Sequence, residues 1–289
     1  MFFDEEMLLD IRLNTLDKFV DNFVIVESLY THNGKEKKLV FDINKYSQFK
    51  NKINYIVVKD APQGIEQISK NDSCIDITNK EIMNAVKREN FQRNAISRGI
   101  INSNDDDWII ISDLDEIPNL DNINFRSVRE KIIFFKQKIF YYKFNLELKT
   151  LQWIGSKACK KKYLKSPQWL RNIKVKKYPK WRLDIIFSKK RYNNVFFVNN
   201  GGWHFSYIRK PEDIEKKLKS YLHHREYDLN PLGIENIKTL INSKAVIYDH
   251  RVDQTEYKFR GGQKLEKIEI EFLPEYILNQ KEKYSEWLE

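Results

Sequence analysis

Trp108-Ile109-Ile110-Ile111-Ser112-Asp113-Leu114-Asp115-Glu116-Ile117-Pro118 decides how this chain is read. Four apolar residues in a row, three of them β-branched, read as a short buried strand. Such a strand fits a parallel sheet covered on both faces. Three carboxylates follow at once. Carboxylates are almost never buried unpaired, so the strand is expected to end at the sheet edge. There Asp113, Asp115 and Glu116 meet solvent or a cation. In extended backbone, residues i and i+2 point the same way. Asp113 and Asp115 would then aim at one point while Leu114 packs the other way. Two hard oxygen ligands suit Mg²⁺ or Mn²⁺, with phosphate oxygens and water filling the shell. Open α/β sheets bind ligands at this end of their strands. Pro118 stops the strand from running on as an interior one. The competing reading is a solvated acidic turn.

The elements on either side support an α/β wound sheet. Leu9, Leu13, Leu16 and Val20 form one helical face over residues 5–20. Phe23-Val24-Ile25-Val26 reads as a buried strand ending in Glu27-Ser28, and residues 53–58 as another, broken by Pro62-Gln63-Gly64. Thr78-Asn79 offers a helix N-cap, with the helix running to about Arg98 and stopping at Gly99. Beyond Pro118 the pattern is less regular. Residues 132–144 are aromatic and β-rich, short strands are expected at 185–188 and 195–198, and helices at 211–227 and 233–243. No Gly-, Pro- or Ser-rich linker divides the chain. One domain over residues 1–289 is expected, with an α/β half (1–120) and a less regular half (121–289).

Composition narrows the class. The chain has 289 residues and is 41% hydrophobic, enough for a core. No run of 18 apolar residues predicts a membrane helix. Met1-Phe2-Phe3-Asp4-Glu5-Glu6 lacks the basic and apolar regions of a signal peptide, so a cytoplasmic protein is expected. Cys74 and Cys159, far apart, read as free thiols. The net charge of +10 is uneven, since residues 157–191 hold 14 Lys or Arg and a single acid, Asp184. That segment suits nucleic acid, an anionic membrane surface or a phosphorylated substrate, or is a solvated lysine-rich face.

Several segments resemble glycosyltransferase family 17. They are Leu8-Leu9-Asp10-Ile11-Arg12-Leu13, Asp21-Asn22-Phe23-Val24-Ile25-Val26-Glu27-Ser28, Gln92-Arg93-Asn94-Ala95-Ile96 and Ile111 to Pro118. Gly202-Trp203-His204-Phe205-Ser206-Tyr207 and Leu273-Pro274-Glu275-Tyr276 complete the set, in family order along nearly the whole chain. The resemblance implies a GT-A fold with a metal-binding D-x-D. It also implies inverting transfer of a sugar, GlcNAc foremost, from a UDP-sugar to a glycan or glycoconjugate. GT-A enzymes begin with a strand ahead of the first helix, and here only Met1-Phe2-Phe3 stands in that place.

Roles follow for single residues, each with a bland alternative. Asp113 and Asp115 would hold Mn²⁺ or Mg²⁺ against the diphosphate leaving group. His204 would be the third metal ligand, since alternation turns it away from Trp203, Phe205 and Tyr207. Gly201-Gly202 would let the backbone approach a ligand. The alternative is a structural histidine. By resemblance, Glu27 would contact the base or ribose and Arg93 the donor. Their alternatives are a loop carboxylate and an ion pair with Glu89. Glu116 and Asp184 are both open as the catalytic base that inversion needs. Trp153, Trp181 and Trp203 could stack on sugars or belong to the core.

Two other functions compete. A HAD-type phosphohydrolase also places Asp-x-Asp after an apolar strand, but near the N-terminus and followed by Gly and Thr or Val. A nucleic-acid-binding protein would use residues 157–191, yet that segment matches no reading motif and leaves the acidic cluster without a purpose. No nucleic-acid partner is expected.

Overall fold

The computed structural model describes the chain except residues 177, 180–182, 186–187, 222–223, 250–258 and 260–261. It is a mixed α/β protein, with three sheets among the described residues. Helix α1 (Glu6–Leu16) buries Leu8, Leu9, Ile11, Leu13 and Leu16. It ends before Val20, so the apolar face is shorter than the spacing predicted. Strands β1 (Phe23–Ser28) and β2 (Ile53–Val58) pair in parallel. Phe2 extends this pair by a parallel bridge to Glu27.

Helix α2 (Cys74–Asn94) starts four residues before the expected Thr78-Asn79 cap. Ser73 is the cap: its hydroxyl accepts from Asp76 N–H, and Asp76 takes Ser73 N–H in return. Beyond Asn94 the helix tightens to a 3-10 turn over Ala95–Ile100.

Strand β3 (Trp108–Ile111) is not in a parallel sheet. It pairs antiparallel with β8 (Lys157–Lys160), which pairs antiparallel with β5 (Ile132–Phe135). Strand β9 (Val195–Val198) then joins β5 in parallel. Ile109 and Ile111 are buried while Trp108 and Ile110 are half-buried. An all-apolar run thus alternates in burial, which its composition could not show. The third sheet has the order β11-β7-β6-β10-β4. Its strands are β4 (Glu116–Pro118), β6 (Lys138–Tyr141), β7 (Leu146–Glu147), β10 (Gly202–Ser206) and β11 (Glu266–Lys267).

Helix α3 (Pro167–Asn172) lies inside the basic segment. The helix expected over 211–227 is two, α4 (Pro211–Leu218) and α5 (His224–Leu229), and α6 (Ile234–Asn242) follows. Leu183–Ile185 is a 3-10 turn rather than the start of a strand, and residues 186–187 lie outside the described set. Near the C-terminus α7 (Glu275–Asn279) packs on α1. Cys74 and Cys159 are free thiols, as expected. No described helix is long and apolar enough to cross a membrane.

Candidate active site

The Asp113-Leu114-Asp115-Glu116 stretch is a turn, not extended backbone. Glu116 N–H donates to Asp113 O at 3.1 Å, and Asp113 N–H donates back to Glu116 Oε2 at 3.2 Å. A turn closes i onto i+3, so it groups Asp113 with Glu116 and sends Asp115 elsewhere. Leu114 packs in the core, as expected. Arg12 of α1 holds the turn from below, donating to Asp113 O at 3.2 Å, Glu116 O at 2.6 Å and Ser112 Oγ at 2.6 Å.

Arg171 of α3 grips the grouped acids. It donates to Glu116 Oε2 at 2.7 Å and Oε1 at 3.0 Å, and to Asp113 Oδ2 at 2.8 Å. Arg93 of α2 reaches Asp113 Oδ1 at 3.1 Å and Glu89 at 2.8 Å. Burial opposes ionisation of Asp113, but Arg171 and Arg93 outweigh it and hold this carboxyl far below the usual range. Glu116 is likewise held low by Arg171 against the cost of its burial.

Glu116 is 1% exposed and takes a further hydrogen bond from Trp153 Nε1 at 2.7 Å. Trp153 in turn stacks on His204, ring centres 4.6 Å apart. Antiparallel pairing of β4 with β10 sets His204 opposite Glu116. Gly155 is required here, because a Cβ at that position would overlap both Glu116 Oε1 and Trp153 Nε1.

Asp115 faces the other wall. Lys217 of α4 stands 3.4 Å from its Oδ2, and His204 Nε2 lies 3.8 Å from its Oδ1. These groups line a pocket of about 500 Å³ together with Arg93, Asp113 and Arg171.

The expected site therefore assembles only in part. Arg93, Asp113, Asp115, Glu116 and His204 come together. Glu27 does not join them. It is fully buried and accepts from Lys37 Nζ, Val40 N–H, Phe41 N–H and the Tyr55 hydroxyl, so it anchors the 37–41 loop to the sheet. Asp184 pairs with exposed Arg191 at 3.4 Å and does not line the pocket. Glu116 has both oxygens engaged and no open face, which does not suit a base for an incoming hydroxyl.

Gly201 and Gly202 serve the fold. A Cβ on Gly202, at φ +124°, would strike the β4 backbone, and one on Gly201 would strike Lys136 and Phe135. The alternation read over 203–206 holds, with Trp203 and Phe205 in the core and His204 and Ser206 on the pocket. It breaks at Tyr207, which has φ +53°. Trp203 is a core residue bonded to Phe272 O, and Trp181 lies outside the described residues. Lys160 and Lys162 pair with Asp106, and Lys161 bonds the carbonyls of Ile101 and Ser103. None of the three lines the pocket.

The donors fit a metal ion only in part. Among the described residues no group of three His, Cys, Asp or Glu is placed to hold one. Asp113 has each oxygen taken by a guanidinium. Asp115 and His204 are adjacent, and His204 Nδ1 is buried without a hydrogen-bond partner. Two protein donors are thus available, not three.

Arg171, Lys217, Gly155 and Arg12 are the parts that sequence reasoning did not assign, and Trp153, weighed only for stacking or the core, also donates to Glu116. Arg171 looked like any other cation of the 157–191 run. Arg12 lay inside a quoted segment, and its reach to the turn is a long-range contact.

A profile of glycosyltransferase family 17 matches residues 1–288. The chain belongs to glycosyltransferase family 17. Among curated relatives, the β-1,4-mannosyl-glycoprotein 4-β-N-acetylglucosaminyltransferase of Homo sapiens is 25% identical over 229 residues, 74% of this chain and 40% of the relative. Proteins of the same name from Rattus norvegicus and Mus musculus match with the same identity and coverage. This family 17 chain spans about two fifths of the length of those relatives. No solved structure matches it.

Proposed function

We propose that this chain is a metal-dependent inverting glycosyltransferase, moving GlcNAc from UDP-GlcNAc to a glycan or glycoconjugate acceptor on a single GT-A type domain. The reading rests on family membership, on the name of the relatives, and above all on the pocket. There Arg93, Arg171 and Lys217 converge around the 113–116 turn. A departing nucleoside diphosphate gains negative charge. Cations already fixed where that charge appears lower the barrier without reorganising, and guanidinium forks match phosphate oxygens.

In this reading Glu116 and Trp153 hold Arg171 in place, and Glu89 steadies Arg93. Asp115 and His204 are the residues that would hold the metal, with phosphate oxygens and water as its other ligands. A bound metal would add positive charge facing the diphosphate. Trp153 presents an indole at the pocket wall, a surface on which a sugar face can stack.

A thermal-shift series with UDP plus Mn²⁺, UDP alone and an oligonucleotide tests this. Stabilisation by UDP that increases with Mn²⁺ supports the transferase. A response to the oligonucleotide alone would favour a nucleic-acid-binding protein instead.

A further inference from the structure

Lys217 stands between two carboxylates. Its Nζ is 3.4 Å from Asp115 Oδ2 and 3.8 Å from Glu5 Oε1. All three side chains are 20% exposed or less, so solvent ions screen these charges little. The Tyr207 ring lies against the ammonium, its centre 5.6 Å away. Helix α4 is anchored behind it, since Ile214 and Leu218 are fully buried. The backbone of Lys217 is therefore held, and its four-carbon stem is the part that can turn.

The two carboxylates are held differently. Glu5 is a fixed seat. Its Oε2 accepts from Phe3 N–H at 3.1 Å and from Asp4 N–H at 3.3 Å, and Arg209 Nη2 lies 2.9 Å from its Oε1. Asp115 is met more loosely. Lys217 and His204 stand 3.4 and 3.8 Å from it, whereas each oxygen of Asp113 has a guanidinium within 3.1 Å. Asp115 is also one of the two residues that would hold a metal. An ammonium a few ångströms from a divalent cation is repelled, and Glu5 is an acceptor already within reach of Lys217.

We propose that Lys217 is a displaceable counter-cation, which neutralises Asp115 until a divalent cation binds there and then passes to Glu5. The proposal rests on the metal site of the proposed function. In it Lys217 weakens metal binding, and Glu5 strengthens it by receiving the ammonium. Glu5 is thus a positioning residue and not a metal ligand, because its two oxygens are already engaged. Asp115, Glu5 and Lys217 all line the pocket, so the ammonium stays on its wall in either position.

The test measures Mn²⁺ binding to the full chain without nucleotide, by loss of the free-ion EPR signal. The proteins are the parent, Lys217→Met, Lys217→Gln, Glu5→Gln and the double variant Lys217→Met/Glu5→Gln, with Tm in the absence of metal recorded for each. Both Lys217 variants should bind Mn²⁺ roughly tenfold more tightly than the parent, since each removes a like charge beside the ion. Glu5→Gln should bind it several-fold more weakly. In the Lys217→Met background the same Glu5→Gln change should alter affinity by less than about twofold, because the ammonium that Glu5 receives is gone. Equal affinity in the parent and both Lys217 variants would overturn the proposal and leave the metal site standing. So would a loss from Glu5→Gln that is as large without Lys217 as with it, which would make Glu5 a ligand. Absence of Mn²⁺ binding in the parent and in both Lys217 variants would remove the metal site, and the proposal with it.

Discussion

Arg171 holds Glu116 through two hydrogen bonds, 2.7 Å to Oε2 and 3.0 Å to Oε1, with the carboxylate 1% exposed. The same guanidinium reaches Asp113 at 2.8 Å. One cation on a six-residue helix thus fixes both ends of the acidic turn. This relationship gives Glu116 a positioning role, holding Arg171 at the pocket wall.

Glu116→Gln should therefore lose stability as well as function. Removing one partner of a buried ion pair costs about 3–5 kcal/mol. Denaturant unfolding should show a loss in that range. A variant as stable as the parent that nevertheless fails to transfer sugar would return Glu116 to the role of base.

Gly155→Ala should act on the same contact. The new methyl would occupy the space between Glu116 Oε1 and Trp153 Nε1. Loss of one hydrogen bond to a buried charge, plus strain, should cost about 2 kcal/mol or more. The indole should also move, which Trp fluorescence would register. An unchanged spectrum with unchanged stability would contradict the packing described.

Lys157 makes stability depend on pH. Its ammonium is buried beneath the C-terminal end of α3, donating to Arg171 O at 2.5 Å and Ile173 O at 2.7 Å. Burial, aided by Arg171, lowers its pKa to about 7, against about 10.4 when unfolded. Between these values the unfolded chain binds more protons, so this residue's contribution rises with pH from 7 to 10. Lys157→Met should flatten stability over that window. A parent protein whose stability does not rise relative to Lys157→Met would refute it.

Lys160→Gln, Lys161→Gln and Lys162→Gln together should leave the KM for donor and its salt dependence unchanged. These side chains are engaged with the 101–107 loop, away from the pocket. A raised KM with a weaker salt response would instead restore charge steering by this run.

Much of this was legible in the chain because it depended on local pattern. The 23–26 and 53–58 runs gave β1 and β2 nearly to the residue, and the 203–206 alternation placed His204 on the pocket side. What stayed hidden was set by contacts distant in sequence. The partner of β3 is β8, some 50 residues on, and nothing in Trp108-Ile109-Ile110-Ile111 states a direction of pairing. The turn at Asp113 is held by Arg12 from α1 and Arg171 from α3. Glu27 looked free at a strand end because its four donors come from a loop and from β2.

The most direct test is a donor screen with UDP-GlcNAc, UDP-Glc and UDP-Gal, in Mn²⁺ and in chelator, on the parent and on Asp115→Asn. The account predicts Mn²⁺-dependent release of UDP from UDP-GlcNAc that falls roughly 10²-fold in Asp115→Asn, with the fold intact. UDP release that is as fast in chelator, or that survives Asp115→Asn within a few-fold, would contradict it.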